Sequence, residues 1–387
     1  MNTQAKADRY IMNTYARFPV TLVSGSGMTV TDDTGKNYLD FGAGIAVSAL
    51  GHAHPAVLKA LAEQASHLIH TSNLYYTAPQ ADLAERLVTH SHLDKAFFCN
   101  SGAEAVEASL KLARKSGGGR TGIVAMQQSF HGRTYGALSA TGQPHYHEGF
   151  APLLPGITHV PLGDIDALEE CVNADTCAVL LEPIQGEGGI VVAQTQYLQQ
   201  VRALCDSLDI ALIFDEVQCG VGRTGSFFAH QHFGVEPDIV ALAKGLAGGV
   251  PIGAMMARER FASAFHPGDH ASTFGGNPLA AAVACAVFDE VVALLPQVQE
   301  SGEYLGRKLD DLASGHAHIT DTRGVGLMRC IELDVPVAPI LNRCLDAGLL
   351  LIAAGTNVIR FVPPLIVEPQ HIDAMIEILS QAITEEP

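Results

Sequence analysis

The sequence predicts an α/β protein whose large domain holds a mostly parallel β-sheet covered by helices, with a smaller α+β domain built from both chain termini. The first observation behind this prediction is that short apolar runs alternate with helical segments from residue 96 onward, an order typical of parallel strands joined by helices. The second is that short strands and helices occupy both ends of the chain, and chain termini often pack together.

The first 50 residues are predicted to form an extended arm and a few strands. Residues 28–41 contain an Asp-Asp-Thr-Gly turn between two alternating segments, a pattern that favours a β-hairpin. Pro55 then predicts the start of a helix of about sixteen residues, because proline is favoured in the first helical turn. Another helix is predicted after Pro79.

The large domain is predicted to contain the alternating segments. Its strands are short apolar runs at residues 96–100, 122–126, 176–182, 211–215 and 238–243. Its clearest helices are residues 102–115 and 195–209. After Pro278 a long alanine-rich helix leads to the smaller unit, which has a strand within residues 358–364. We expect an arm and part of the small domain at residues 1–50, the large domain at 51–285 and the remaining small domain at 286–387.

The composition excludes several classes of function. Lys plus Arg number 23 and Asp plus Glu 41, giving a net charge of −18, which speaks against binding to nucleic acid or anionic membranes. Eight cysteines occur without Cys-X-X-Cys pairs, so neither a disulfide framework nor a zinc finger is predicted. The polar N-terminus lacks a signal-peptide core, and no apolar run approaches the ~20 residues of a membrane span. A reducing cytosol is the expected compartment.

Two strand ends carry the residues from which we predict chemistry. The buried run Ala-Leu-Ile-Phe ends on Asp215 and Glu216, and the run at 238–243 ends on Lys244. Ligands of open parallel sheets bind beyond the carboxyl ends of the strands. A lysine among apolar and glycine residues is desolvated, which favours the neutral, nucleophilic amine. We therefore predict that Asp215 binds a heterocyclic nitrogen and that Lys244 carries a cofactor as an imine, although a solvated strand tip is the plain alternative.

Other motifs allow more than one interpretation. Asn-Ser-Gly-Ala-Glu-Ala at 100–105 joins a strand to a helix and can be either an anion site or an ordinary helix cap. Gly-X-Gly-X-X-Gly occurs at 117–122 and at 220–225, but neither lies between a strand and a helix, so both are predicted to be turns. The His-X-His pairs at 52/54, 145/147, 230/232 and 316/318 lack further ligands, and solvated histidines are favoured over a metal site.

Two arginines among small or apolar residues are candidates for carboxylate binding. Arg133 lies in Phe-His-Gly-Arg-Thr and Arg360 in Ile-Arg-Phe-Val-Pro-Pro. A surface ion pair is the default explanation for each, but a guanidinium held in a pocket suits bidentate capture of a carboxylate. Glu187 could pair with one of them.

Together these motifs resemble the class III (ω-amino-acid) aminotransferases, which use pyridoxal 5′-phosphate. The matching motifs run in family order from near residue 15 to residue 364 and include Asn-Ser-Gly-Ala-Glu-Ala, Phe-His-Gly-Arg-Thr, Glu-Pro-Ile-Gln-Gly-Glu-Gly-Gly, Asp-Glu-Val-Gln-Cys-Gly-Val-Gly-Arg-Thr-Gly, Leu-Ala-Lys-Gly-Leu, Ser-Thr-Phe-Gly-Gly-Asn-Pro and Arg-Phe-Val-Pro-Pro. The resemblance implies the fold type I of pyridoxal-phosphate transferases. Residues 44–55 resemble the acetylornithine subgroup, since ornithine aminotransferases carry a tyrosine where Ile45 stands here.

The resemblance also implies a role for each site residue and a homodimer with shared active sites. Lys244 and Asp215 would be catalytic. The cofactor would be bound by Gly102, Ala103, Phe130, Asp215, Glu216, Val217, Gln218, Lys244 and, from the neighbouring subunit, Thr273. The substrates would be bound by Arg133, Arg360, Ser272 and Tyr15, with Glu187 covering Arg360 in one half-reaction.

The implied reaction moves the terminal amine of N-acetyl-L-ornithine to 2-oxoglutarate, giving N-acetyl-L-glutamate 5-semialdehyde and L-glutamate, a step of arginine biosynthesis. Ornithine, succinylornithine and other ω-amino acids remain open as donors. An aminomutase on the same scaffold is disfavoured, because it would need neither Arg360 nor Glu187 for a dicarboxylate partner. A non-catalytic role is the remaining alternative.

Overall fold

The computed structural model describes residues 2–384. Its helices are α1 Thr3–Tyr10, α2 Ala43–Ala46, α3 Pro55–Ala65, α4 Ala78–Thr89, α5 Gly102–Ser116, α6 Tyr135–Ala140, α7 Ile165–Cys171, α8 Thr195–Leu208, α9 Ala229–Phe233, α10 Glu259–Ala262, α11 Pro278–Gly315, α12 Ala338–Asp346 and α13 Pro369–Thr384. Its strands are β1 Leu22–Ser26, β2 Thr29–Asp32, β3 Asn37–Asp40, β4 Lys95–Cys99, β5 Gly122–Met126, β6 Ile157–Val160, β7 Thr176–Leu181, β8 Ile184–Gln185, β9 Val191–Val192, β10 Ala211–Asp215, β11 Ile239–Leu242, β12 Gly253–Ala257, β13 Ile319–Val325, β14 Met328–Leu333, β15 Leu349–Leu350, β16 Ile352–Ala353 and β17 Val358–Phe361.

A seven-stranded sheet in the order β4-β12-β11-β10-β7-β5-β6 forms the centre of the molecule. All its neighbouring strands pair in parallel except β12, which is antiparallel to both β11 and β4. Every residue of β7, β10 and β11 is buried. Because helices cover both faces, these strands are continuous apolar runs without alternation. The predicted α/β class with a mostly parallel sheet is confirmed.

The terminal segments meet in a second, smaller sheet. The strand order is β1-β2-β3-β15, so residues 349–350 extend a sheet begun by residues 22–40. The predicted hairpin is present, with β2 antiparallel to β3, and the Asp32 carboxylate accepts hydrogen bonds from the backbone N–H of Thr34 and Lys36 in the turn between them. A further sheet, β13-β14-β17-β16, carries the strand predicted around Arg360.

Two local predictions differ from the structure. The N-terminal arm begins with helix α1, which Asn2 caps by accepting from Ala5 N–H; its side chains are not buried, so no apolar periodicity announced it. Helix α3 has 11 residues and is shorter than predicted. It ends where the Ser66 hydroxyl and the His67 ring both bond the Glu63 carbonyl at 2.7 Å, which satisfies a terminal carbonyl without another helical turn.

Helix α11 bears on two further predictions. Its 38 residues run across the domain boundary proposed after residue 285, and that division of the chain stays a prediction. By length and composition alone this helix could also cross a membrane, although Asp289 and Glu290 interrupt its apolar run. It packs on α3, α4 and α13, and its buried face belongs to the main hydrophobic core, as expected for the core helix of a globular domain.

Candidate active site

A cavity of about 420 Å³ lies beyond the carboxyl ends of the central strands. It is lined by residues from several loops, namely Val47, Asn100, Ser101, Gly102, Ala103, Phe130, His131, Gly132, Arg133, Glu182, Asp215, Val217, Gln218, Ala243, Lys244, Gly249, Val250, Pro251 and Ile252. The structure therefore brings Asp215 and Lys244 to one cavity.

Asp215 ends strand β10 and is 4% exposed. Its Oδ1 accepts a hydrogen bond from Val217 N–H at 3.0 Å, and its Oδ2 lies 2.7 Å from Nδ1 of His131. Burial alone would lower the pKa of His131, but the hydrogen bond and charge of Asp215 raise it. The His131 Nε2 atom is buried without a partner among residues 2–384. These two contacts fix the orientation of the Asp215 side chain.

Lys244 begins the short 3-10 turn Lys244–Ala247 that follows β11. Its backbone has φ +45°, a conformation that non-glycine residues rarely adopt and that occurs often at functional sites. Burial lowers the pKa of Lys244, with a further contribution from Arg360, while Glu187 and Asp215 oppose the shift. A larger fraction of the neutral amine, the nucleophilic form, follows from this environment.

The N-terminus of α5 faces the same cavity. Ser101 caps the helix by accepting from Glu104 N–H at 3.2 Å. The N–H groups of Gly102 and Ala103 find no acceptor within residues 2–384. Free N–H groups at the positive end of a 15-residue helix favour an anion such as a phosphate.

Two of the side chains that line the cavity are apolar, those of Phe130 and Val217. A Cβ added to Gly102 would lie 2.7 Å from Cγ1 of Val217, so the helix start and the Val217 side chain are in close contact. Glycine at this position leaves room for that side chain.

An ion pair between a buried arginine and a half-buried glutamate borders the cavity. Arg360 Nη1 donates to Glu187 Oε1 at 2.7 Å and to Gln218 Oε1 at 2.8 Å. Arg360 is 2% exposed. Burial would raise the pKa of Glu187, but the charge and hydrogen bond of Arg360 bring it below the usual value. Gln218 lines the cavity and joins the pair to it.

Arg133 lies at the open rim of the cavity. Its side chain is exposed, and its guanidinium stacks 3.9 Å from the ring centre of Tyr146 and 5.3 Å from that of Phe130. Stacking on aromatic faces leaves the guanidinium edge free for a carboxylate.

Comparison with known proteins agrees with this arrangement. The family Aminotransferase class-III matches residues 10–383. The chain belongs to this family. An acetylornithine aminotransferase of Methanocaldococcus jannaschii is 52% identical over 97% of this chain and 96% of that protein.

Solved aminotransferase structures share the fold. The ornithine aminotransferase of Toxoplasma gondii ME49 superposes with a TM-score of 0.94 at 32% identity, covering 98% of this chain and 94% of that one. The N-acetylornithine aminotransferase of Stenotrophomonas maltophilia K279a gives a TM-score of 0.84 at 36% identity, with 98% of each chain covered. Fold type I and dependence on pyridoxal phosphate follow for this class-III aminotransferase.

The chemistry of the lining residues fits pyridoxal phosphate. An amine, a carboxylate, an aromatic wall and two free backbone N–H groups match the aldehyde, ring nitrogen, ring face and phosphate of that cofactor. Lys244, Asp215, Phe130, Val217 and the start of α5 are therefore the residues that would hold it.

Some residues of the predicted substrate and cofactor sets lie outside the cavity of this single chain. Ser272 and Thr273 line a neighbouring cavity, where Ser272 Oγ accepts from Asn100 Nδ2 at 3.1 Å. Tyr15 is 69% exposed on the arm. Ile45 lines a separate apolar cavity with Phe18 and several leucines. The predicted roles of Ser272, Thr273 and Tyr15 stay predictions.

The Glu216 carboxylate lies against helix α9, and the predicted part of Glu216 in cofactor binding stays a prediction. Its carboxylate is fully buried and accepts from Ala229 N–H at 2.6 Å and from His230 N–H at 2.8 Å, at the start of α9. Asp215, the last residue of β10, lines the cavity, whereas Glu216 does not.

Sequence reasoning missed Glu182, which lines the cavity and is 4% exposed. Its Oε2 accepts from Phe130 N–H at 3.0 Å, and burial raises its pKa to about 7. It directly follows strand β7, as Asp215 ends β10, so its place at a strand end was an available signal.

Proposed function

We propose that this aminotransferase moves the terminal amine of N-acetyl-L-ornithine to 2-oxoglutarate, as part of arginine biosynthesis in the cytosol. The observation that carries this proposal is the Arg360–Glu187 pair beside Lys244. The amino donor has no second carboxylate near Lys244, whereas the acceptor has one. The enzyme therefore needs a cation that is neutralised when the donor binds and free when the acceptor binds. The similarity to acetylornithine aminotransferases supports the same donor.

The Glu187 carboxylate is the movable part of this device. Glu187 is half-buried while Arg360 is almost fully buried. Moving the Glu187 carboxylate into solvent therefore changes its hydration less than moving the Arg360 guanidinium would. With Glu187 paired, Arg360 is neutralised for the acylated diamine. With Glu187 displaced, Arg360 binds the α-carboxylate of 2-oxoglutarate or glutamate in bidentate fashion. Arg133 at the rim binds the carboxylate distal to the reacting amine.

The remaining residues orient the reaction. Bound pyridoxal phosphate supplies a ring that accepts electrons from the substrate carbon. Lys244 Nζ moves the proton at the substrate carbon that carries the amine. Asp215, held by His131 and Val217 N–H, presents a fixed negative charge to the ring nitrogen. Gln218 positions the ring oxygen while also contacting Arg360.

A donor panel tests the proposal. Purified enzyme with 2-oxoglutarate is offered N-acetylornithine, N-succinylornithine, ornithine, N-succinyl-diaminopimelate and 4-aminobutyrate, and glutamate is measured. We expect the highest kcat/KM with N-acetylornithine and none with any donor in Lys244→Ala. A higher kcat/KM with another donor would replace the assigned substrate, and unchanged turnover of Lys244→Ala would end the mechanism.

Ornithine is the second candidate donor. The structural likeness to an ornithine aminotransferase favours it. Against it stands the resemblance of residues 44–55 to the acetylornithine subgroup, with Ile45 where ornithine aminotransferases carry a tyrosine. The panel separates the two, because ornithine and its acetyl derivative differ only in that amine.

We also propose that two copies assemble into a homodimer with shared sites. Leu74, Tyr75, Tyr76 and Phe274 are large apolar residues exposed by 86%, 67%, 106% and 61%, and contiguous exposed apolar surface marks an interface. Asn73 Nδ2 donates to the carbonyls of Ser272 and Gly275, so this surface includes the loop of Ser272 and Thr273. The loop would thus reach the partner's cofactor phosphate.

A further inference from the structure

Arg223 is a buried cation that the proposed reaction does not use. Its side chain is 2% exposed. Its Nη1 donates to the carbonyl of Leu327 at 3.3 Å and, in a shorter contact, to the carbonyl of Pro363. Burial lowers the pKa of Arg223 to about 9, with no carboxylate of the described chain opposing that effect. A cation held only by carbonyls is unfavourable, and an apolar side chain of similar volume would avoid this penalty.

The two carbonyls lie at one end of the strand pair that carries Arg360. Leu327 directly precedes β14, and Pro363 follows β17. These strands are antiparallel, with Arg329 opposite Phe361 and Cys330 opposite Arg360. The Nη1 atom of Arg223 carries two N–H groups and donates to both carbonyls at once. Arg223 therefore fastens both strands of the pair at a single point.

Arg223 itself lies in the loop that follows Asp215 and Gln218, and this loop contacts the turn before β14. Leu327 N–H donates back to the Arg223 carbonyl at 3.0 Å. A Cβ added to Gly326 would lie 2.6 Å from the Arg223 carbonyl oxygen, and one added to Gly222 would lie 2.6 Å from Val291. The loop and the β13–β14 turn are in backbone contact with little space for adjustment.

We propose that Arg223 is a positioning residue for dicarboxylate binding. Its guanidinium ties the β14–β17 pair to the loop after Asp215 and so sets where the guanidinium of Arg360 lies relative to Gln218 and Lys244. This inference rests on the proposed role of Arg360 in binding the α-carboxylate of 2-oxoglutarate. Displacing the strand pair moves Arg360 but not Arg133, which lies in the large sheet's loops.

The test compares Arg223→Lys and Arg223→Met with Arg343→Met in the pyridoxal-phosphate-loaded enzyme. Arg343 is a matched control, since its Nε also donates to a backbone carbonyl, that of Ala382 at 2.7 Å. The measurements are KM for 2-oxoglutarate, KM for N-acetylornithine, the dissociation constant of unreactive glutarate and the melting temperature. Arg223→Met should raise the KM for 2-oxoglutarate and the glutarate constant by about tenfold or more, and Arg223→Lys by less. Arg343→Met should leave both unchanged.

A merely structural role predicts a different result. It would lower the melting temperature and change both KM values alike, or change neither, and either outcome overturns the inference. Should the Arg223 variants fail to fold, Gly326→Ala carries the test, because it keeps the cation and displaces its backbone; unchanged glutarate binding in that variant would contradict the proposal.

Arg360→Ala tells the two proposals apart. If that variant binds glutarate normally, the role of Arg360 itself is wrong, whereas weakened binding there with normal binding in the Arg223 variants rejects only the inference on Arg223.

Discussion

The pairing of Glu187 with Arg360 is the residue-level feature on which dual substrate use depends. Glu187→Gln removes the charge that neutralises the buried guanidinium. When the acylated diamine binds to this variant, the positive charge of Arg360 has no negative partner. Leaving one charge of a buried ion pair without its partner costs about 3–5 kcal/mol. We expect kcat/KM for N-acetylornithine to fall by 10-fold or more, on the order of 1.4 kcal/mol at least, while the KM for 2-oxoglutarate stays equal or decreases.

The control for this prediction is Glu169→Gln, an exposed carboxylate of α7. It should change neither constant. Steady-state kinetics with each substrate varied separately give the answer, and an equal loss for both substrates in Glu187→Gln would argue against a switch.

Glu182 should make the stability of the cofactor-free protein depend on pH. Its pKa is about 7 in the folded protein against 4.5 in its ordinary state. The folded protein therefore retains a proton that the unfolded chain releases, so stability is fully present below pH 4.5 and is lost as pH rises through 7. Up to about 3 kcal/mol is involved.

Urea unfolding between pH 4.5 and 8 measures this effect. Glu182→Gln should be less sensitive to pH over that range than the wild type, because the amide does not titrate. Parallel pH curves for the two proteins would show that the Glu182 carboxyl is not the group responsible. The raised pKa of His131 acts in the same direction, so some slope will remain.

For single residues, the sequence predicted which ones lie at the site, but not which distant residues contact them. Asp215 and Lys244 were found because a polar residue ending an apolar strand is visible in the sequence. The hydrogen bond from His131 to Asp215 and the burial of Arg223 depend on contacts between distant segments, which spacing does not reveal. The burial of the Glu216 carboxylate against the start of α9 depends in the same way on a contact between separate segments.

Among the elements, the start of α5 leaves no room for a side chain at residue 102. In Gly102→Ala the new Cβ would meet both methyl groups of Val217, at 2.7 and 2.9 Å. The Val217 side chain must then shift into the space proposed for the ring, so we expect weaker binding of pyridoxal phosphate, by about 1–3 kcal/mol for an overpacked site.

Gly315→Ala is the control, because an added Cβ there meets nothing within 4 Å. Equilibrium dialysis of each variant against pyridoxal phosphate measures the dissociation constant. Equal constants for Gly102→Ala and the wild type would show that this contact does not shape the cofactor site.

Element α2 shows what a sequence pattern cannot predict. Ala43, Gly44, Ile45 and Ala46 all have positive φ, between 47° and 65°. A β-branched residue in this region is strained by about 1–3 kcal/mol, so propensity argues against the conformation. Asp40 supports the turn through Oδ1, which accepts from Gly42 N–H at 3.0 Å and Ala43 N–H at 2.8 Å. Tertiary contacts decide the conformation here.

For the whole molecule, alternation of strands and helices was sufficient to predict the class and the main sheet. The antiparallel strand β12 was not predicted, because direction depends on connections and not on composition. The long helix predicted after Pro278 is present as α11, but its end was not predicted. Pro296, a residue type that often ends a helix, lies inside it. The sharing of one sheet by residues 22–40 and 349–350 agrees with termini that pack together.

Shared active sites can be tested by mixing inactive subunits. Lys244→Ala chains are combined with Thr273→Asp chains, whose carboxylate would repel the partner's cofactor phosphate. Each hybrid dimer has one site with neither change, so random reassociation should restore roughly a quarter of wild-type activity. Mixing Lys244→Ala with Asp215→Asn is the control. Both of those residues serve their own subunit's site, so no activity should return, and a failure of the first mixture to recover would contradict site sharing.

The most direct test of the central claim is the stoichiometry of the two half-reactions. Enzyme loaded with pyridoxal phosphate is mixed with N-acetylornithine alone, separated from it, and then given 2-oxoglutarate. We predict one N-acetylglutamate semialdehyde per active site in the first step and one glutamate in the second, with neither formed by Lys244→Ala. Release of semialdehyde without later glutamate, or product from Lys244→Ala, would contradict the assignment of Lys244, Asp215 and Arg360 to a single transamination site.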